Sequence, residues 1–398
     1  MVVGSLREET EVAVIGAGPG GYVAALRAAD LGKEVILIEE RDHRGGVCLL
    51  EGCIPSKALI SAVELMHSAR DAKQIGITMG DISVDPKMLR DWTSGIVEGL
   101  SKGIDGLLKK RGVEVIKGRA RFQDNKRLMI EGADTAGVDF KHCIIATGSA
   151  INQLPPAYNE PIWTSADALT LPEIPETLLL VGGGYIGLEL GLVYAGLGSK
   201  VTLVEFNPAL LPVVDIDLVQ VVMKTCSERF EAMLLGSTVK KVEQTSAGFV
   251  TTVEHEGAEQ KIETSQVLVA IGRYPNSQDL GLENTNIKPN ERGVIPTDEG
   301  CRTTEPGIYA IGDVAPGPML AHKASREGKV AAEVIANHPA AFDNRAIPAV
   351  VFTHPEIAWV GLTEREAEAQ GRTVNVGRFP LTALGRARTL RATEGLAR

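Results

Sequence analysis

Two copies of one local pattern constrain this chain most: a short apolar strand, a G-x-G-x-x-G turn, a helix, and a second strand ending in Glu. In the first copy, residues 11–15 read as a buried strand and Gly16, Gly18 and Gly21 form the turn. A helical run then reaches about residue 31, and a strand over 34–38 ends at Glu39. In the second copy, residues 178–181 lead into Gly182, Gly184 and Gly187, a helix follows over 188–197, and a strand over 200–204 ends at Glu205. The first glycine permits the sharp bend, the second lets a pyrophosphate reach the backbone at a helix N-terminus, and the third packs helix on strand. One such turn can serve packing alone. Two, each with its strand and acidic residue, point to two dinucleotide sites and to duplication of one module. The predicted fold is α/β, with two Rossmann-like dinucleotide-binding domains. Glu205 can accept from a ribose 2′-OH and would repel a 2′-phosphate, which favours NAD over NADP.

At 398 residues the chain exceeds one compact core, so two to four domains are expected. Short strands are predicted over 113–116, 120–122, 127–130 and 143–145. One helix starts near Cys53 and carries 61–69, and another spans roughly 87–110. Residues 154–161 read as a linker. Residues 267–271 lead into Gly272, 307–313 form a strand with a polar end, and 319–336 form a helix. A new unit begins near 347, with a strand over 349–352, a helix over 364–370 and a strand over 373–379; residues 382–398 show no clear element.

A net charge of −10 argues against nucleic-acid and anionic-membrane partners. The first eleven residues lack a basic segment followed by an apolar one, and 12–15 is too short to span a bilayer. Five cysteines in so long a chain do not read as a secreted disulfide framework. A cytoplasmic location is expected, and an organellar one, reached by a cleaved presequence, is the alternative.

Cys48 and Cys53 stand just after the first turn, in Gly45-Gly46-Val47-Cys48-Leu49-Leu50-Glu51-Gly52-Cys53-Ile54-Pro55-Ser56-Lys57. Free cysteines are often simply core. Here Gly45, Gly46 and Gly52 permit close turns, and Ile54-Pro55 opens a helix after Cys53, whose N-terminus stabilises a thiolate. A zinc site needs two more close ligands, and the neighbourhood has none, so no metal is expected.

The stretch 48–57, both glycine turns and Tyr309-Ala310-Ile311-Gly312-Asp313 resemble the pyridine-nucleotide–disulfide oxidoreductase family. Residues 183–191 and Gly317-Pro318-Met319-Leu320-Ala321-His322-Lys323-Ala324 are most similar to its dihydrolipoamide dehydrogenase branch. The resemblance implies an FAD-binding domain over 1–152 continued in 273–345, an NAD-binding domain over 153–272, and the start of an α+β interface domain over 346–398. FAD would take Gly16, Gly18 and Gly21, with Glu39 on the adenosine ribose and Asp313 on the ribityl chain; Gly46, Thr147, Gly148 and Gly312 join that site. Met319, Leu320, Ala321 and His322 would set a helix N-terminus at the flavin N1/O2 edge. NAD would take Gly182, Gly184, Ile186, Gly187, Glu205 and Gly272, with Tyr185 covering the nicotinamide side of the flavin. Cys53 would be the flavin-side sulfur and Cys48 the interchange thiol, with Lys57 and Glu189 paired beside the flavin. For Lys57 or Glu189 alone the bland reading is a solvated charge, and for Tyr185 a core aromatic. Dihydrolipoyl groups, carried on a domain of a 2-oxo acid dehydrogenase complex, would reduce the cysteines of a homodimer, and NAD+ would receive the electrons.

Val47 and Leu50 replace the family's Thr and Asn, and Glu51 is an acidic choice there. These changes are expected to alter hydrogen bonds around the disulfide or flavin. The family's closing His-Pro-x-x-x-Glu-like segment, whose His is the acid/base, does not occur before Arg398. The interface domain is therefore expected to be incomplete, its partial sheet unstable alone, and lipoamide turnover poor. His354-Pro355-Glu356 resembles the opening of that domain, so His354 reads as a surface or structural residue. Reduction of another disulfide or of a metal ion is an alternative activity. A non-catalytic scaffold that keeps the nucleotide fold is the alternative of a different class.

Overall fold

The computed structural model describes residues 7–154 and 162–398, which fall into two compact units. The first comprises Met1–Pro55, Ser94–Ala150 and Arg273–Asn344. Its sheet is built around Arg7–Ile15, which pairs in parallel with Val35–Glu39 on one side and Gly137–Ile145 on the other. Val35–Glu39 is apolar up to its final Glu and wholly buried, as a strand covered on both faces must be. Glu114–Lys117 extends the sheet in parallel beyond it. On the far edge, Gly137–Ile145 pairs antiparallel with Arg127–Glu131 at one end and parallel with Ile308–Ala310 at the other. The helices Pro19–Asp30 and Ala321–Ile335 cover one face against Val14, Leu37 and Ile144. Phe122, Leu128, Leu280 and Ile295 fill the other face against Ile36 and Ile38.

The second unit comprises Ser56–Thr93, Ile151–Gly272 and Arg345–Arg398. Its five-stranded sheet is parallel throughout, in the order Ala232–Leu234, Lys200–Val204, Thr177–Val181, Gln266–Val269, Trp163–Thr164. The helix Tyr185–Leu197 is apolar almost all round, and it is buried from Gly187 to Tyr194. An antiparallel meander, Thr238–Thr245, Gly248–His255 and Ala258–Thr264, packs Val242, Phe249 and Val253 against Leu179, Val181 and Val267. Near the C-terminus, Ala349–Val351 pairs with Ile357–Trp359, and Val351 and Ile357 enter the same core as Leu59 and Leu192.

The sequence reading needs local corrections. The helix expected from residue 188 starts at Tyr185, and the one expected over 319–336 is Ala321–Ile335. The strand over 307–313 shortens to Ile308–Ala310 before a tight turn at Gly312–Val314. No strand forms over 373–378: these residues are exposed, and only Phe379–Pro380 finds a partner, in Leu396–Ala397. Residues 382–398, left without an element, contain the helix Gly385–Leu390. Of the linker, 155–161 lie outside the described residues. The meander and the helix Ile216–Arg229 were not anticipated. The helical run Gly46–Ile75 is long and apolar enough by length and composition to cross a membrane, but it carries Cys48, Cys53 and Lys57, and its Leu59 is fully buried in a protein core.

The two helices of the first unit cross through glycine. A Cβ on Gly328 would stand 2.5 Å from the Gly20 carbonyl oxygen and 3.2 Å from the Ala24 nitrogen. Gly328→Ala is expected to cost about 1–3 kcal/mol as the helices are forced apart, read as a lowered urea midpoint at unchanged m-value.

Candidate redox and nucleotide site

The two glycine turns repeat each other atom for atom in their roles. Gly16 and Gly182 have φ of 97° and 110°, and a Cβ on either would collide with a facing strand, at Ala146 and Ala270 respectively. A Cβ on Gly21 or Gly187 would strike the backbone of the first glycine of its own turn. Only the middle glycines face space: Gly184 has nothing within 4 Å of an added Cβ, and Gly18 has only Gly46, at 3.8 Å. The outer glycines are thus required by packing, while the middle one leaves backbone open to a ligand. The helices that follow are capped by Gly18 and Gly184 without a side-chain cap, and neither has an acidic residue in its first turn. Both ends suit an anion.

Each turn is tied down by the acidic residue of its second strand. Glu39 accepts from the amides of Ala17 (2.7 Å) and Arg41 (3.0 Å). Glu205 accepts from the amides of Gly183 (2.5 Å) and Asn207 (2.7 Å), and from the Asn207 side chain (2.6 Å). Both carboxylates are buried. Both Glu39 oxygens and Glu205 Oε2 keep a second lone pair, so each carboxylate can still accept from a ribose hydroxyl.

The short helix that carries Cys48 sits against the first turn. Gly46, at φ 60°, begins the short helix Gly46–Glu51, and a Cβ on it would fall 2.5 Å from the Gly18 Cα. The Gly45 amide donates to the Ala17 carbonyl at 2.9 Å. Cys48 lies on this helix, between the turns that Gly45 and Gly52 permit. Cys48 and Cys53 are joined by a disulfide with a Cα–Cα distance of 4.6 Å, and Cys53 opens the helix Cys53–Asp71. Of the unusual residues, Leu50 packs on the apolar core and Glu51 accepts from Arg41 at 2.9 Å.

Lys57 and Glu189 meet at 2.7 Å. A carboxylate 4% exposed on an apolar helix needs partners. Glu189 has a second in the Phe352 amide, at 3.0 Å, while the Phe352 ring lies 4.3 Å from the Lys57 ammonium. Tyr185 is 42% exposed at the head of that helix, and Ile186 is half-buried beside it. Gly272 has φ 100° and its carbonyl accepts from the Asn152 amide.

At Gly312–Asp313 the chain makes a tight turn. Ser149 donates to Asp313 Oδ2 at 2.6 Å and accepts from Arg273 Nε at 2.8 Å. The Gly312 amide donates to Glu327 at 2.7 Å, and Lys323 Nζ donates to the Gly312 carbonyl at 2.8 Å. Burial pushes the Glu327 carboxyl above its ordinary range, opposed by Lys323. Thr147 donates to the Asn276 carbonyl at 2.7 Å, and Gly148 stands at φ 72° with open space beside it. Leu320 caps the helix Ala321–Ile335 without a side-chain cap; Met319 precedes it and the exposed His322 lies in its first turn. His354 is 58% exposed, 3.7 Å from Glu64.

Sequence reasoning missed Phe352, Ser149, Arg273, Asn207 and the Lys323–Glu327 pair. Glu189, expected beside Lys57, is not among them. Lys323 and Glu327 read in sequence as an ordinary surface i,i+4 pair.

Residues 10–328 match the family described as pyridine nucleotide-disulphide oxidoreductase, and residues 347–398 match its dimerisation domain. The chain is 45% identical over 397 residues to a dihydrolipoyl dehydrogenase of Geobacillus stearothermophilus, covering 99% of this chain and 84% of that protein. It is 46% identical over 406 residues to one from Haloferax volcanii, covering 100% and 85%. Among solved structures, it superposes with a TM-score of 0.89 at 29% identity on LpdA from Mycobacterium tuberculosis, covering 97% of this chain and 86% of that one. The HOCl-induced flavoprotein disulfide reductase RclA from Escherichia coli gives 0.83 at 27% identity, covering 97% and 85%.

The remaining cysteines are chemically silent. Burial pushes the Cys226 and Cys301 thiols up to about 12 and Cys143 further still. After mild reduction, iodoacetamide at pH 8 is expected to modify only Cys48 and Cys53 in the native protein, and all five cysteines in urea, counted by intact mass.

Proposed function

Because this chain belongs to the pyridine nucleotide-disulphide oxidoreductase family, FAD-dependent oxidoreductases that use NAD(H), we propose that it oxidises dihydrolipoyl groups through Cys48–Cys53 and passes the electrons to NAD+. The observation that carries this reading is a disulfide whose second cysteine opens a 19-residue helix and whose first lies on a helix that touches the first glycine turn.

The open middle glycine, the uncapped helix start and the anchored Glu39 fit the pyrophosphate and ribose of FAD. Gly16, Gly18, Gly21, Glu39, Gly46, Thr147, Gly148, Gly312, Asp313 and residues 319–322 would hold it, within a domain of 1–152 and 273–345. The second turn fits NAD in the same way through Gly182, Gly184, Tyr185, Ile186, Gly187, Glu205 and Gly272, within 153–272. FAD, when bound, supplies the two-electron acceptor between the dithiol and NAD+.

The protein's part of the chemistry is thiol–disulfide exchange. A substrate thiolate attacks Cys48 Sγ, the Cys48–Cys53 bond breaks, and Cys53 departs as a thiolate. Cys53 opens a helix, whose N-terminus favours a departing thiolate, so attack falls on Cys48. The second substrate thiolate then attacks the substrate sulfur of the mixed disulfide, releasing oxidised substrate and the Cys48 thiolate. The substrate loses two electrons and the cysteine pair gains them. Lys57, held by Glu189 and Phe352, keeps a fixed positive charge four residues along the same helix from Cys53.

The dimerisation-domain match over 347–398 supports a homodimer. A lipoyl carrier domain in the cytoplasm is the partner we infer.

Anaerobic titration with dihydrolipoamide tests the reading by visible absorbance. The wild type is expected to develop a long-wavelength thiolate-to-flavin band. Cys48→Ser should show that band before any reductant is added, and Cys53→Ser should never show it. Bound flavin without the band in the titrated wild type would overturn the proposal.

A further inference from the structure

Building on that reading, we propose that Lys323 and Glu327, with Ser149 opposite, are flavin-positioning residues that lock the Gly312–Asp313 turn in the shape that meets the FAD ribityl chain. Lys323 and Glu327 lie 3.1 Å apart, with side chains 0% and 6% exposed. Helix stability does not account for them. The lysine precedes the glutamate at i,i+4 near the helix N-terminus, the order that opposes the helix dipole. A fully buried ion pair is also rarely better for stability than two apolar side chains of the same volume.

What the pair does accomplish is local and specific. Gly312 stands at φ 75°. Its amide donates to Glu327 and its carbonyl accepts from Lys323, so one ion pair holds both polar groups of a single peptide turn. The lysine stem is boxed in: a Cβ on Gly317 would lie 3.2 Å from Lys323 Cε. The next residue is Asp313, whose carboxylate is gripped from elsewhere by Ser149, itself fixed by two bonds from Arg273. Backbone and side chain of two consecutive residues are therefore fixed by independent groups, the first buried and the second half-buried. Such double support suits a site whose geometry must be set before the ligand arrives, because less ordering remains to oppose binding.

The test uses full-length apoprotein reconstituted with FAD. Lys323→Met/Glu327→Leu replaces the pair by an apolar one, and Ser149→Ala removes the opposite grip while leaving the pair intact. Three quantities are read: the urea midpoint of the apoprotein, the FAD dissociation constant from flavin fluorescence, and the flavin midpoint potential. We expect the urea midpoint of the double variant to stay at or above wild type. Its FAD affinity should fall about ten- to a hundredfold, the scale on which outer partners of a bound group act, and its potential should shift. Ser149→Ala should move affinity and potential in the same sense. Wild-type affinity and potential in either folded variant would overturn the clamp while leaving the functional reading standing. If the double variant does not fold, Ser149→Ala alone decides between these outcomes. Wild-type apoprotein that binds no FAD would overturn the functional reading and the clamp together.

Discussion

Much of this structure depends on a backbone-to-backbone contact between Gly18 and Gly46. No side chain fits on Gly46, whose Cβ would fall 2.5 Å from the Gly18 Cα. That contact sets the short helix carrying Cys48 directly on the first nucleotide turn. Two-electron chemistry between a disulfide and a bound cofactor needs short, fixed separations. Here the helix that carries Cys48 meets the first glycine turn through two glycines. The flanking Gly45 amide, bonded to Ala17, keeps the contact in register.

The paired carboxylates have a role in folding besides the binding proposed for them. Glu39 and Glu205 each reach back to the amide just after the first glycine of their turn and to the amide two residues ahead of themselves. Turns with several glycines are costly to order. Each carboxylate offsets part of that cost by accepting backbone donors in a buried place. A change of Glu205 would therefore disturb the turn itself.

The fold was largely legible because its signals are local. The strand, turn and helix periodicities of both modules each sit within thirty residues and match the observed sheets closely. The corrections concern places where tertiary pairing decides. Residues 373–378 have a strand-like composition but no edge to join, and the meander over 238–264 alternates too weakly to stand out from its polar neighbours. At the site, the cysteines, glycines and acidic residues carry their chemistry in sequence spacing. Phe352, Ser149 and Arg273 do not, because each acts through a partner more than a hundred residues away. Lys323 and Glu327 were hidden for a different reason: their spacing is that of a solvent-facing pair, and only burial reveals them.

The silence of Cys143, Cys226 and Cys301 has a consequence for how the protein ages in use. Each turnover opens the working disulfide and exposes a nucleophilic thiolate beside other sulfur in the same chain. Were one of those three ionised and within reach, repeated cycling would eventually scramble the pairing and trap the chain in a dead isomer. Their protons are held by burial far above any physiological pH, and their sulfurs are sealed inside the cores. Among the described residues, the exchange reaction has one address, and wear on the catalyst is confined to the pair that can be reset by its own substrate.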